Sequence, residues 1–217
     1  MNGFEKRLRI FYSKQSSIRF TSILDVQKVW ERAFRRAGIT LSYSQGFHPQ
    51  AKIQQASPLP LGFCGDEEVM DVWIETKNED SVRIDLINPY LPVGMVTQQI
   101  EPIDLSAPSL QQFVDFSDYS IIFLDSLSQS ALSSLVESIQ ISESILFVKH
   151  SGKQYDLKPL IRSISSQDNS KKGPSLYVSL SSAPGATGRP DHLLQYFHHD
   201  PSHVLITRKM IHFLKYD

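Results

Sequence analysis

Residues 22 to 38 carry the pattern that most restricts how this chain can fold. Val26, Val29, Trp30, Ala33, Phe34 and Ala37 recur at the spacing of one helical face, while Gln27, Lys28, Glu31, Arg32, Arg35 and Arg36 fill the other. Ser22, with Asp25 three residues on, makes a capping pair: the serine oxygen accepts from a free first-turn amide and the acid faces the positive end of the helix dipole. Gly38 supplies the stop. Glu31 and Arg35 are spaced to pair at i, i+4, which is worth a few tenths of a kcal/mol. A helix with one apolar face needs a surface to cover, and its flanks provide candidates. Arg7 to Tyr12 alternates basic with apolar, as does a strand with one face on a core, and Val69 to Ile74 reads as a second strand. Lys52 to Ser57 is expected to pair antiparallel with Val69 to Ile74 across the connection from Pro58 to Glu67.

Val82, Leu86, Ile87 and Tyr90 predict a second, short helix that Pro89 ends or closely follows, and Met95 to Ile100 a further strand. The order strand, helix, strand, strand, helix, strand is the split βαβ, or ferredoxin-like, pattern. Pro102 to Asp115 has few strong periodicities, after which the pattern returns. Tyr119 to Leu124 reads as a strand and Ser128 to Ile139 as a helix. Ile145 to His150 is a strand turning through Ser151 and Gly152 into a polar strand that ends near Ile164. Ser165 to Gly173 is read as a hydrophilic loop, Ser175 to Leu180 as a strand, Pro190 to Phe197 as a helix opened by proline, and Val204 to Leu214 as the last strand. The fold class is therefore α+β: two ferredoxin-like (βαββαβ) units in tandem, with antiparallel sheets and helices on one face. The expected boundaries are 1–104, a linker at 105–117, and 118–217.

The 41% hydrophobic and 21% charged content of the 217 residues is that of an ordinary globular protein. The start of the chain lacks a signal-peptide pattern and no segment approaches a membrane span, so the expected location is the cytoplasm. Cys64 is the single cysteine, which excludes an internal disulfide and a Cys-rich zinc or iron-sulfur site built by this chain alone. Charge is unevenly spread. Residues 1 to 55 hold ten Lys or Arg against three acids, a balance of +7, and residues 64 to 104 hold ten acids against Lys77 and Arg83, a balance of -8. Such asymmetry suggests a basic face able to meet an anion; the two segments also suffice to neutralise one another across the fold, which is the favoured reading.

The stretch from Leu41 to Gly62 is the focus for function. It combines Tyr43, Gln45, Gly46, Phe47, His48 and Lys52 with Pro49, Pro58 and Pro60, and stiff loops rich in aromatic and hydrogen-bonding groups often carry binding sites. A structural cover for the end of a core is the alternative. Arg19 and Lys52 are expected to meet if the sheet pairs as proposed and, with Arg7 or Arg9, to clamp a phosphate or carboxylate. His48 is placed to donate or accept near neutral pH. The binding candidates are thus Arg19, Tyr43, Gln45, Gly46, Phe47, His48 and Lys52, with Arg9, Arg189 and Arg208 secondary. His192, His198, His199 and His203 fit no zinc signature. Gly185 to Arg189 lacks the lysine and spacing of a phosphate loop and reads as a turn with one exposed arginine. No metal site and no catalytic triad is assigned.

Several segments resemble a known family. These are Arg7-Leu-Arg-Ile, Ile18-Arg-Phe-Thr-Ser-Ile-Leu-Asp25, Glu31-Arg-Ala-Phe-Arg-Arg-Ala-Gly38, Tyr43-Ser-Gln-Gly-Phe-His-Pro49, Ala56-Ser-Pro-Leu-Pro-Leu-Gly62 and Glu68 through Asp71. They resemble the bacterial radical SAM-linked family, also called the DUF2344 domain. The likeness is specific over residues 7 to 75 and looser afterwards, at Gly188-Arg-Pro-Asp191 and in the closing strand through Arg208. It implies an accessory module, more a binding protein than an enzyme, working with a radical S-adenosylmethionine protein that has a cobalamin-binding-like region. Any iron-sulfur cluster and S-adenosylmethionine would belong to that partner, and the substrate would be RNA or a translation component. Gln50 and Ala51 depart from the family's turn, where histidine and a second proline are common, and this weakens a catalytic role for the turn. The alternative is an enzyme acting on a small phosphorylated or carboxylated ligand in the same basic pocket.

Overall fold

A computed structural model describes residues 4–76, 82–124, 127–148, 152, 154–169 and 173–215. It is a mixed α+β architecture with mostly antiparallel sheet, and it divides into two compact units, residues 1–113 and 114–217.

The first unit contains β1 (Phe4–Lys14), α1 (Ile23–Arg36), β2 (Thr40–Leu41), β3 (Ile53–Gln55), β4 (Cys64–Thr76), α2 (Ile84–Ile87) and β5 (Met95–Ile103), with a 3-10 turn from Asn88 to Tyr90 extending α2. β1 pairs antiparallel with β4 on one side and with β5 on the other, and β2 and β3 share the far edge of β4. The alternation along β1 sends Leu8, Ile10 and Tyr12 to one face. There they meet Met70, Val72 and Ile74 of β4, Val26, Trp30, Ala33 and Phe34 of α1, and Ile87 of α2 in one core. Trp30 is fully buried, with its ring edge-on to Tyr12 at 5.0 Å and tilted against Phe34 at 5.9 Å.

α1 forms where its periodicity and caps place it. The Asp25 amide donates to Ser22 Oγ (3.2 Å), and the Ser22 hydroxyl donates to Asp25 Oδ2 (2.7 Å). At the other end Gly38 adopts φ +74°, and the amides of Gly38 and Ile39 donate to the carbonyls of Arg35 and Phe34, closing the last turn in a Schellman arrangement. The expected Glu31–Arg35 pair does not form: Arg32, Arg35 and Arg36 stay exposed, with no ion pair among the described residues. The Ser22 hydroxyl holds the Asp25 carboxyl below the usual carboxylate range. A lowered carboxylate stabilises the fold above its unfolded pKa, and that contribution is lost as pH falls through the folded one. Ser22→Ala is expected to cost about 1 kcal/mol, read as a lower denaturation midpoint in urea at unchanged slope.

The second unit contains β6 (Val114–Phe123), α3 (Gln129–Ile141), β7 (Leu146–Val148), β8 (Gln154–Asp156), β9 (Ile161–Asn169), β10 (Gly173–Ala183), β11 (Ala186–Thr187), α4 (Pro190–Tyr196) and β12 (Val204–Phe213). β6 lies between β12 and β10, β9 covers the outer edge of β10, and β11 caps the far end of β10, all antiparallel. β7 and β8 form a separate two-stranded hairpin; His150 and Ser151 of the expected strand and turn lie outside the described residues. The Ser128 hydroxyl caps α3 by accepting from the Ala131 amide. One expectation fails here. Ser165 to Asn169, read as loop, are the second half of β9, and their backbone pairs with β10 from Tyr177 back to Gly173. An edge strand open to solvent on one side carries polar residues without losing its ladder, so its composition imitates a loop.

Candidate functional site

The segment between β2 and β3 is an excursion from a single sheet edge. β2 pairs with β4 at Glu75 and Ile74, and β3 resumes at Val72 to Met70. Between them the Lys52 amide donates to the Ser42 carbonyl and the Ser44 amide to the Gln50 carbonyl, each at 2.8 Å, with a bridge between Tyr43 and Ala51. The Gln50 amide also donates to Ser44 Oγ (3.0 Å). Residues 43 to 50 therefore project as an exposed hairpin. Gly46 takes φ +134° at its tip, and Phe47 is 101% exposed. Gln45 and His48 share this exposed tip.

At the base of the hairpin lies a cleft of about 450 Å³ between the outer face of α1 and the chain that follows it. Lys28, Glu31, Arg32, Arg35, Gly38, Ile39, Thr40, Leu41 and Tyr43 line it. Positions 28, 32 and 35 follow the i, i+4, i+7 spacing, so their side chains form one basic stripe opposite the buried Trp30 face. Lys28 makes only a long 3.5 Å pairing with Asp25, in which both side chains are more than half exposed. Tyr43 is 48% exposed at the end of the stripe. Clustered cations of this kind attract phosphate or carboxylate, and an exposed ring beside them offers a flat apolar face.

The other expected site residues are dispersed. Arg19 and Lys52 do not meet. The Lys52 ammonium donates to Glu5 Oε1 (2.8 Å) near the start of β1, whereas the Arg19 carbonyl accepts from Lys14 Nζ (3.2 Å) and the Gly62 amide (2.9 Å) beyond its other end. Glu5 and Lys14 are separated by about 30 Å of strand at roughly 3.3 Å per residue. The Arg19 guanidinium instead lies over the exposed Phe20 ring at 4.6 Å. Arg7 and Arg9 are also drawn out of any clamp. The fully buried Asp71 receives Arg7 through Nε (3.0 Å) and Nη2 (2.6 Å) and Arg9 through Nε (2.9 Å) and Nη2 (3.1 Å). Arg7 further donates to the carbonyls of Ala107 and Pro108 and lies over Trp73 at 4.8 Å. In the second unit Arg189 forks onto Asp191 (3.0 and 2.7 Å), and Arg208 is buried in β12. His192 stacks on Phe147 at 3.9 Å and bonds to Tyr155, and among the described residues no group of His, Cys, Asp or Glu is placed to hold a metal ion.

The Lys52 ammonium, hydrogen-bonded to Glu5, is the chief reason the Glu5 carboxyl sits below its usual range, so whatever this pair contributes is present above the normal glutamate pKa and is lost as pH falls below it. Both side chains are more than a third exposed. Lys52→Ala is accordingly expected to change stability by less than about 1 kcal/mol at neutral pH, measured by thermal or urea unfolding.

No described helix is long and apolar enough to cross a membrane. A search of curated proteins returns no match. A crystal structure of a protein assigned as a glycine cleavage system transcriptional repressor is 12% identical over 98% of this chain and 99% of that one, with a TM-score of 0.26, too low to bear on fold or function. The model of the family described as an uncharacterised protein conserved in bacteria (DUF2344) matches residues 7–190, and the chain belongs to that family.

Proposed function

We propose that this chain is a noncatalytic accessory module of a radical S-adenosylmethionine system, which binds RNA or a translation-related substrate in the α1 cleft and docks to the radical enzyme. The observation that carries the reading is the stripe of Lys28, Arg32 and Arg35 closed by Tyr43. We read each unit as a ferredoxin-like split βαβ, because β5–β1–β4 with β2 and β3, and β12–β6–β10–β9, follow the same fourth-first-third-second order. Folds of this kind are familiar RNA platforms, which is an argument by analogy. Docking is supported by large apolar side chains left in solvent on the first unit: Phe47 at the hairpin tip, Phe20 and Leu24 at the start of α1, and Leu61. Titration of labelled RNA at 50 and 200 mM salt tests the first half, with saturable binding that weakens as salt rises as the expected result. Absence of binding at 50 mM would contradict it. Coelution with the co-expressed radical S-adenosylmethionine protein on size exclusion tests the second half, and separate elution would count against docking.

One observation favours a second reading. The cleft volume lies within the range of small-ligand pockets, so an enzyme acting on a small phosphorylated or carboxylated compound fits the same residues. A thermal shift with a small phosphate ester but none with RNA would select it.

A further inference from the structure

The geometry of the cleft points to a single strand: we infer that Lys28, Arg32 and Arg35 hold consecutive phosphates of a single-stranded nucleic acid while Tyr43 stacks on one of its bases. The inference rests on the RNA reading above and specifies the form in which the strand is recognised.

Three features carry it. The first is length. Between positions 28 and 35 an α-helix rises about 10 Å, so the three cations are strung out along a line, as the successive phosphates of an extended strand are, and do not converge on a single anion. The second is availability. The Arg32 and Arg35 side chains have no hydrogen bond or ion pair among the described residues, and the Lys28 pairing is long and exposed, so a phosphate displaces mainly water. Glu31 is the acid among the described lining residues and leaves the stripe at +2, a surface still attractive to a polyanion. The third is Tyr43. Its backbone is pinned by the bridge to Ala51, its side chain is 48% exposed, and its ring takes part in none of the aromatic pairs among the described residues. A ring held at the end of a phosphate-sized stripe can take a base only if the base is out of its helix, since the base faces of a duplex are already stacked. Chain walls on one side, from Gly38 to Leu41, make the site a cleft and not the broad surface that a duplex would need.

Fluorescence anisotropy with labelled ten-nucleotide oligouridine RNA, the same sequence as DNA, and a ten-base-pair RNA duplex tests this between 50 and 200 mM salt. The single-stranded RNA is expected to bind more tightly than the duplex, with log K falling against log salt at a slope of about -2, roughly 0.7 per phosphate held. Arg32→Ala and Arg35→Ala should each flatten the slope by about 0.7. Tyr43→Ala should weaken binding about 5- to 150-fold at unchanged slope, and Tyr43→Phe should restore it. Circular dichroism melting of each variant establishes that it is folded. Equal binding of the single-stranded DNA supports a site that reads backbone and base without the 2′-hydroxyl; weaker DNA binding supports one that reads it. Preference for the duplex, or a Tyr43→Ala variant that binds as wild type, overturns the single-strand inference and leaves the RNA reading standing. Failure of every oligonucleotide to bind at 50 mM overturns both.

Discussion

Asp71→Asn is expected to destabilise the first unit by about 3 to 5 kcal/mol, the usual loss when one member of a buried charge cluster is removed. Asp71 is completely buried and Arg7 is 2% exposed, so neither can recover hydration if the other is lost. The carboxylate takes four guanidinium hydrogen bonds, with Oδ2 shared by Arg7 and Arg9 and Oδ1 used by Arg9. Asparagine retains one acceptor oxygen and turns an amide donor toward a guanidinium donor, leaving the buried Arg7 guanidinium without its carboxylate partner. The effect reaches further than the strand pair, because the same Arg7 guanidinium holds the Ala107 and Pro108 carbonyls. Urea unfolding gives the loss of stability. Hydrogen exchange should show faster exchange at residues 105–113 than in the wild type, and wild-type protection there would contradict the account.

The second large effect concerns binding. With Arg32 and Arg35 both replaced by alanine, RNA affinity at 100 mM salt is expected to fall about a hundredfold, since two charge-assisted hydrogen bonds are removed at roughly 1.5 kcal/mol or more each. Stability should move by less than about 0.5 kcal/mol, because both side chains are exposed, unpaired with any carboxylate among the described residues, and replaced by a better helix former. Anisotropy and thermal melting on the same preparation separate the two quantities. An unchanged affinity would remove the α1 stripe from the site.

What could be seen in advance follows from how local the signals are. α1 was legible to its ends because caps, period and stop all act within a few residues, and the structure uses Ser22, Asp25 and Gly38 for those purposes. The pairing of residues 53–55 with β4 was legible for a similar reason, since a short proline-rich connection limits how the two segments can meet. The meeting of Arg19 with Lys52 was not, because strand register decides which end of a sheet each residue reaches, and composition carries no register. The Asp71 cluster lay within reach of the same alternation that was read. Arg7 and Arg9 share one face of β1, Asp71 lies directly opposite Arg9 on β4, and a buried aspartate between two arginines absorbs them. The helical cations were seen on the outer face of α1 but not joined to Tyr43, since only the folded turn from Gly38 to Leu41 brings that ring alongside them. β9 was hidden by its polar composition, and only the ladder with β10 reveals it.

Ultraviolet cross-linking of oligouridine RNA to the intact chain, followed by mass spectrometric mapping of the adduct, tests the central claim most directly. The account predicts the principal adduct on Tyr43, at the base of the exposed hairpin, and its loss in the Arg32→Ala, Arg35→Ala double variant. A principal adduct in residues 114–217, or an undiminished Tyr43 adduct in the double variant, would contradict it.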